Sequence, residues 1–244
     1  MNFNILKYFT CVLLSLLFVF NTSKASHIVG LELYYTHVAG NTYKITLVAY
    51  GDCGPASSGA FATLSTASPT ICIYNGPTSV SSISLAIQAP SAGVEITPVC
   101  HADSLLTQCT NPSYAIPGIK KFVYSGNYTL PGTSPNWRFI FTGNMGGGAG
   151  AAGRAAAITN IAGGTTSQLI DTLNNSVYYN SNPVMTTVPV PFFCLNNNDS
   201  YTPGAVDPDG DSLSFSLTSG MSGTNNCTSI GGPVTYTGGY TGAA

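Results

Sequence analysis

From residue 28 onward, apolar and polar residues alternate with a period of two, the mark of strands with one buried face. In the first such stretch Ile28, Leu31, Leu33 and Tyr35 alternate with small or polar neighbours. In the second, Tyr43, Ile45, Leu47 and Ala49 share one face, opposite Lys44, Thr46, Val48 and Tyr50. Gly40 and Asn41 separate the two runs, so the pattern predicts a β-hairpin turning there. TICIYNGP and SSISLAIQA form another alternating pair around Asn75-Gly76-Pro77, with Ile71, Ile73, Ile83, Leu85 and Ile87 inward. VEITPVCHADSLLTQC leads from a strand into a loop carrying Cys100 and Cys109. IKKFVYSGNYTLPG reads as two strands around Ser125-Gly126-Asn127. NWRFIFTG puts Trp137, Phe139 and Phe141 on one face, which makes Trp137 a core residue.

The glycine-rich run GNMGGGAGAAGRAAAITNIAGG interrupts the alternation and predicts a surface loop, then a short strand over residues 158–161. No Lys-Ser or Lys-Thr follows these glycines, which removes a phosphate-binding P-loop. Asn180-Ser181-Asn182-Pro183 reads as a linker, and further prolines at 189 and 191 favour extended connecting chain. SLSFSLT then alternates cleanly, with Leu213, Phe215 and Leu217 on the expected inner face. One strong strand among weak ones cannot close a sandwich. The expected fold class is therefore all-β, in Ig-like or cadherin-like β-sandwich modules of which the second is incomplete. The expected division is a signal peptide over 1–25, an N-terminal β-sandwich domain over 26–178, and the start of a second domain over 179–244.

The first 25 residues carry a lone Lys7, an apolar run from Tyr8 to Phe20 and Ser23-Lys24-Ala25, the layout of a secretory signal peptide. The apolar run is short for a membrane span. Cleavage after Ala25 is expected, with Ser26 first in the mature chain. Loss of Lys7 and Lys24 leaves five Lys/Arg against nine Asp/Glu, a net charge of −4. No basic patch is available to meet nucleic acid or an anionic membrane surface. Loss of Cys11 leaves Cys53, Cys72, Cys100, Cys109, Cys194 and Cys227, an even set that in an exported chain points to disulfides of open pairing. No CxxC spacing supports a metal knuckle instead.

Asp207, Asp209 and Asp211 alternate in DPDGD, with Pro208 and Gly210 forcing a turn. Like charges so close repel unless a cation sits among them, and Ca²⁺, a hard ion taking six to eight oxygens, is the natural candidate. Thr218 stands where an EF-hand needs its bidentate Glu, so a junction-stiffening site is expected, with oxygens from Asn196, Asn197, Asn198 or Asp199. The alternative is a solvated acidic turn.

Two stretches carry a family resemblance. ASHIVGLELYYTHVAGNTYKITLVAYGDC resembles the mature start of large cell-surface proteins of Bacteroidetes, the gliding-motility-associated type with PKD and cadherin-like modules. NSNPVMTTVPVPFFCLNNNDSYTPGAVDPDGDSLSFSLTSG resembles the segment that follows in them. The resemblance covers both ends of the mature chain and is weaker between them. It implies β-sandwich modules, export to the outer-membrane exterior and sorting by type IX secretion. Gly51 stands where that family has Arg, and its C-terminal sorting region is not found, which fits truncation.

Motifs for catalysis are sparse. The histidines are His27, His37 and His101, without HExxH or GxSxG. Cys100, His101 and Asp103 are neighbours in sequence, whereas catalytic triads are assembled in space. Cleavage one residue later, after Ser26, would let His27 and the new amino group chelate copper with His37 or His101. Glu32, Glu95 and Asp171 read as surface charges with no pairing for glycoside hydrolysis. The expected function is a noncatalytic exported structural or adhesin-type surface protein, its partner an extracellular protein or glycan. The alternative is the accessory binding region of a secreted polysaccharide or protein hydrolase whose catalytic module lies downstream.

Overall fold

A computed structural model describes residues 28–54, 63–146, 161–162, 166–187, 202 and 204–239. The chain is all-β. Its strands are β1 (Ile28–Ala39), β2 (Thr42–Asp52), β3 (Thr70–Asn75), β4 (Thr78–Ser84), β5 (Ala86–Ile87), β6 (Val94–Glu95), β7 (Ile119–Thr129), β8 (Trp137–Phe141), β9 (Ile161–Ala162), β10 (Leu169–Leu173), β11 (Val184–Met185), β12 (Ala205–Val206) and β13 (Thr235–Tyr236). One antiparallel sheet runs β1-β2-β7-β5, with β6 joining β7 beyond β5; the other runs β10-β8-β3-β4. Two short pairs, β11 with β12 and β9 with β13, complete the pairing among the described strands.

The two sheets face each other across one core, as alternating inner faces require. Tyr43, Ile45, Leu47 and Ala49 of β2 and Phe122 and Tyr124 of β7 meet Ile71 and Ile73 of β3, Trp137, Phe139 and Phe141 of β8 and Leu173 of β10. Ile83 and Ile87 pack at the margin of this core, and Leu85 is fully inside it. The predicted hairpin turn is present: Ala39 pairs with Thr42, and Gly40 takes the positive φ of 52° that a two-residue hairpin turn needs.

Two strand expectations change. The run IKKFVYSGNYT is a single strand, β7, and Gly126 is not a turn residue. A Cβ at Gly126 would lie 3.1 Å from Ile83 Cδ1 and 3.3 Å from Leu85 Cδ2, so this glycine permits close approach of the side chains above it. Residues 212–217, read as a strand, pair with nothing among the described strands, and Phe215 and Leu217 are exposed. Alternation alone does not make a strand; a sheet edge must be present to take its N–H and C=O groups.

The later part of the chain returns to the sandwich. Cys72 and Tyr74 of β3 and Ile140 of β8 form an apolar patch on the outer face of their sheet, and Cys227 and Ile230 pack against it. A Cys72–Cys227 disulfide, with Cα atoms 5.3 Å apart, fixes the segment there. Gly223 N donates to Thr166 O and Asn225 N to Thr142 O, both at 2.9 Å, and Tyr74 Oη donates to Cys227 O at 2.7 Å. Residues 221–231 are thus a strap over the sandwich. A second disulfide, Cys53–Cys109, ties the end of β2 to the loop before β7. Cys100, expected among the bridging cysteines of open pairing, is a free exposed thiol. Cys194 lies outside the described residues.

Peptide mapping of the oxidised protein is expected to return Cys53–Cys109 and Cys72–Cys227, with Cys100 labelled by a thiol reagent without denaturant. Their separations of 56 and 155 residues make each bridge worth about 4–5 kcal/mol in the chain-entropy limit. Replacing Cys72 and Cys227 together by Ser is therefore expected to lower the Tm by about 10 °C or more. An unchanged Tm would show that the strap carries no stability.

Candidate functional site

The aspartate turn begins where β12 leaves its pairing with β11. Asp207 Oδ1 accepts from Asp209 N at 2.8 Å and from Asp211 N at 3.3 Å, closing the turn on its own main chain. Gly210 completes it with a φ of 83°. Asp209 reaches outward, and its Oδ2 accepts from Ser181 N at 2.5 Å. This charged clasp joins the turn to the segment 177–182.

That segment spans the open side between the sheets, where the edge strands β1 and β10 approach each other. Ser181 Oγ accepts from His37 N at 3.2 Å, and Asn182 N donates to Tyr35 O at 2.9 Å, both on β1. Asn182 Nδ2 donates to Asp171 Oδ1 on β10. Tyr35 closes the gap directly, its hydroxyl donating to Thr172 O at 2.9 Å. Burial pushes the Tyr35 phenol well above its usual range, and the negative charges of Asp171 and Asp207 push the same way.

Asp171 is the site's buried acid. Its Oδ2 is buried and has no hydrogen-bond partner among the described residues. Desolvation raises the carboxyl from 3.8 to about 7, against the opposing hydrogen bonds from Asn182 and the Thr172 backbone. The expectation of a surface charge is overturned. The signal was in the sequence: in LIDTL, Asp171 is in phase with Leu169 and Leu173, which pack on the core.

Beside the clasp, a cleft of about 380 Å³ opens to solvent. Val177, Tyr178, Tyr179, Asn180, Asp209 and Asp211 form much of its lining. Tyr178 is 80% exposed and Val177 71%. Tyr179 lies flat on the His37 ring, with centroids 4.3 Å apart and planes 6° from parallel. His37 Nε2 donates to Gly40 O at 2.9 Å, and this fixes the ring on which Tyr179 rests. No sequence motif marks these tyrosines. The available signal was three consecutive apolar residues inside an Asn/Ser-rich run.

The other expected site residues are dispersed. The three aspartates share one turn, yet no group of three or more His, Cys, Asp or Glu side chains able to hold a metal is gathered among the described residues. Asp207 Oδ1 serves the turn, Asp209 Oδ2 serves the clasp, and Asp211 lines the cleft. Asn196, Asn197, Asn198, Asp199 and His27 lie outside the described residues. His101 is exposed in a 3-10 turn, His101–Asp103, whose backbone Cys100 and Ser104 close. His37 is a stacking partner. Glu32 accepts from Tyr50 Oη at 2.8 Å, and Glu95 accepts from the hydroxyls of Thr97 and Thr107.

No family model, curated protein or solved structure was found to match this chain. Among the described residues, no helix is long and apolar enough to cross a membrane.

Asp171 gives the fold a pH dependence of definite sign. Between about pH 4 and pH 7 the folded chain keeps this proton while the unfolded chain releases it, so its contribution lowers stability as pH rises through that window. Replacing Asp171 with Asn is expected to flatten this slope and to stabilise the protein above pH 7, by about 2–4 kcal/mol. Thermal melts from pH 4 to 8 check it; a variant with the wild-type slope would place the ionisation elsewhere.

Proposed function

We propose that this chain is a noncatalytic exported surface protein of structural or adhesin type, built on β-sandwich architecture. The observation that carries the reading is the pair of overlapping disulfides, Cys53–Cys109 and Cys72–Cys227. Such bridges form and persist in oxidising compartments and are rare in the cytosol. The signal-peptide layout of the first 25 residues and the resemblance to Bacteroidetes surface proteins support the same assignment. Exposed Val177, Tyr178 and Tyr179, consecutive in the chain and lining one cleft, support a contact role. In this reading the sandwich is a rigid platform, the strap keeps it closed, and the edge between β1 and β10 makes the contact. The partner is an extracellular protein or a glycan.

Calcium belongs to the proposal as a stiffener of the Asp207–Asp211 turn, where it would compete with Ser181 N for Asp209. A Tm rise specific to calcium over magnesium and lost in Asp209→Ala supports that role. An unchanged Tm removes the ion and leaves the clasp.

Export is tested with a tagged full chain in a bacterium possessing type IX secretion. The expected result is a mature chain starting at Ser26, recovered outside the cytosol with both disulfides formed. Retention in the cytosol with residues 1–25 attached would overturn the proposal.

A further inference from the structure

We infer that the cleft beside the clasp is a binding site for an uncharged carbohydrate, stacked on Tyr178 and Tyr179 and hydrogen-bonded by Asp211, Asn174 and Asn180. The inference rests on the surface-contact reading and specifies its ligand.

Size comes first. A cleft of about 380 Å³ lies at the small end of the range for ligand pockets, which suits a short glycan and not a protein surface. The chemistry of the lining follows. Tyrosine rings offer flat apolar faces to the C–H groups of a sugar ring and phenolic hydroxyls to its edge. Exposing Tyr178 so fully in a fold that buries Tyr35, Tyr43 and Tyr124 loses burial energy that those other rings gain. The amides of Asn174 and Asn180 both donate and accept, and the Asp211 carboxylate accepts strongly, matching hydroxyls that do both.

Charge selects within the carbohydrates. Asp209 and Asp211 are the charged residues of the lining among the described residues, which include no Lys or Arg there. Uronic and sialic acids are therefore disfavoured, and neutral hexoses and N-acetylhexosamines are favoured. The cleft is also preorganised. Tyr179 is held by His37, and the cleft's two walls are tied together by Asp209 and Ser181. Ring placement then costs little entropy at the moment of binding.

The test uses the oxidised mature protein and three probes: neutral β-linked oligosaccharides of hexose and N-acetylhexosamine, their uronic-acid counterparts, and an oligolysine peptide. Saturation-transfer NMR and calorimetry are expected to show saturable binding of a neutral oligosaccharide, with a Kd of about 1 mM or tighter. Tyr178→Ala is expected to weaken it by about tenfold or more while leaving the Tm unchanged, because the side chain is exposed. Tyr178→Phe, which keeps the stacking face, is expected to retain most of the binding. Asp211→Asn serves as a second variant outside the clasp and is expected to weaken it too.

Failure of all neutral sugars to bind would overturn the inference. So would binding that Tyr178→Ala leaves intact, preference for uronic acids, or capture of oligolysine alone. Cell fractionation separates this from the broader reading. A chain that is exported and processed but binds no sugar loses the cleft and keeps the export assignment; sugar binding by a chain that is never exported does the reverse.

Discussion

The covalent link between Cys72 and Cys227 is the constraint on which the rest of the architecture depends. A lone sandwich would leave the outer faces of both sheets in water. Here Cys72, Tyr74 and Ile140 make one of those faces apolar, and a strap from much later in the chain covers it. The same strap lies against residues 166–168, immediately before β10, through Gln168, Ser167 and Thr166. The bond thus holds a long loop closed and positions the edge strand that carries Asp171 and Thr172. Because this bridge and Cys53–Cys109 overlap in sequence, each limits the unfolded states open to the other, and their contributions are not additive.

Everything proposed for function sits farther along the same edge strand, where β10 meets β1. Two sheets closed by packing alone have open sides between their edge strands. On this side, Tyr35 and Asn182 tie β1 to β10, and Asp209 adds the turn from the later segment. The like charges that looked unfavourable in sequence are separated in use. One carboxylate closes its own turn, one grips a backbone N–H, and Asp211 is left at the cleft. The desolvated Asp171 is the cost of this closure, since its second oxygen gains no partner. The result is a polar, rigid rim around two tyrosines that remain in solvent.

How much of this was legible depended on whether a feature is local. The inward phases of β2, β3 and β8 could be read directly, because period-two alternation follows from backbone geometry. Trp137 was rightly read as core by its register with Phe139 and Phe141. Gly126 was misread because close approach and turning both select glycine, and only the positions of Ile83 and Leu85 distinguish them. Phe215 and Leu217 had the pattern of a strand without an edge to join. The pairing of Cys72 with Cys227 could not be found by spacing, since it depends on where a strap 155 residues later returns. Part of the site was visible in principle: Asp171 in an inward phase and Val177-Tyr178-Tyr179 in a polar run. That these two features meet near the Asp207–Asp211 turn is a property of topology alone.

The central claim is that the strap and the sandwich are one cooperative body. Native-state hydrogen exchange on the oxidised protein tests it most directly. The account predicts that the amides of Gly223, Asn225 and Gly231, which donate to Thr166, Thr142 and Gln168, exchange as slowly as those of β3 and β8. Fast exchange at these three amides beside a protected sheet, with both disulfides intact, would contradict it.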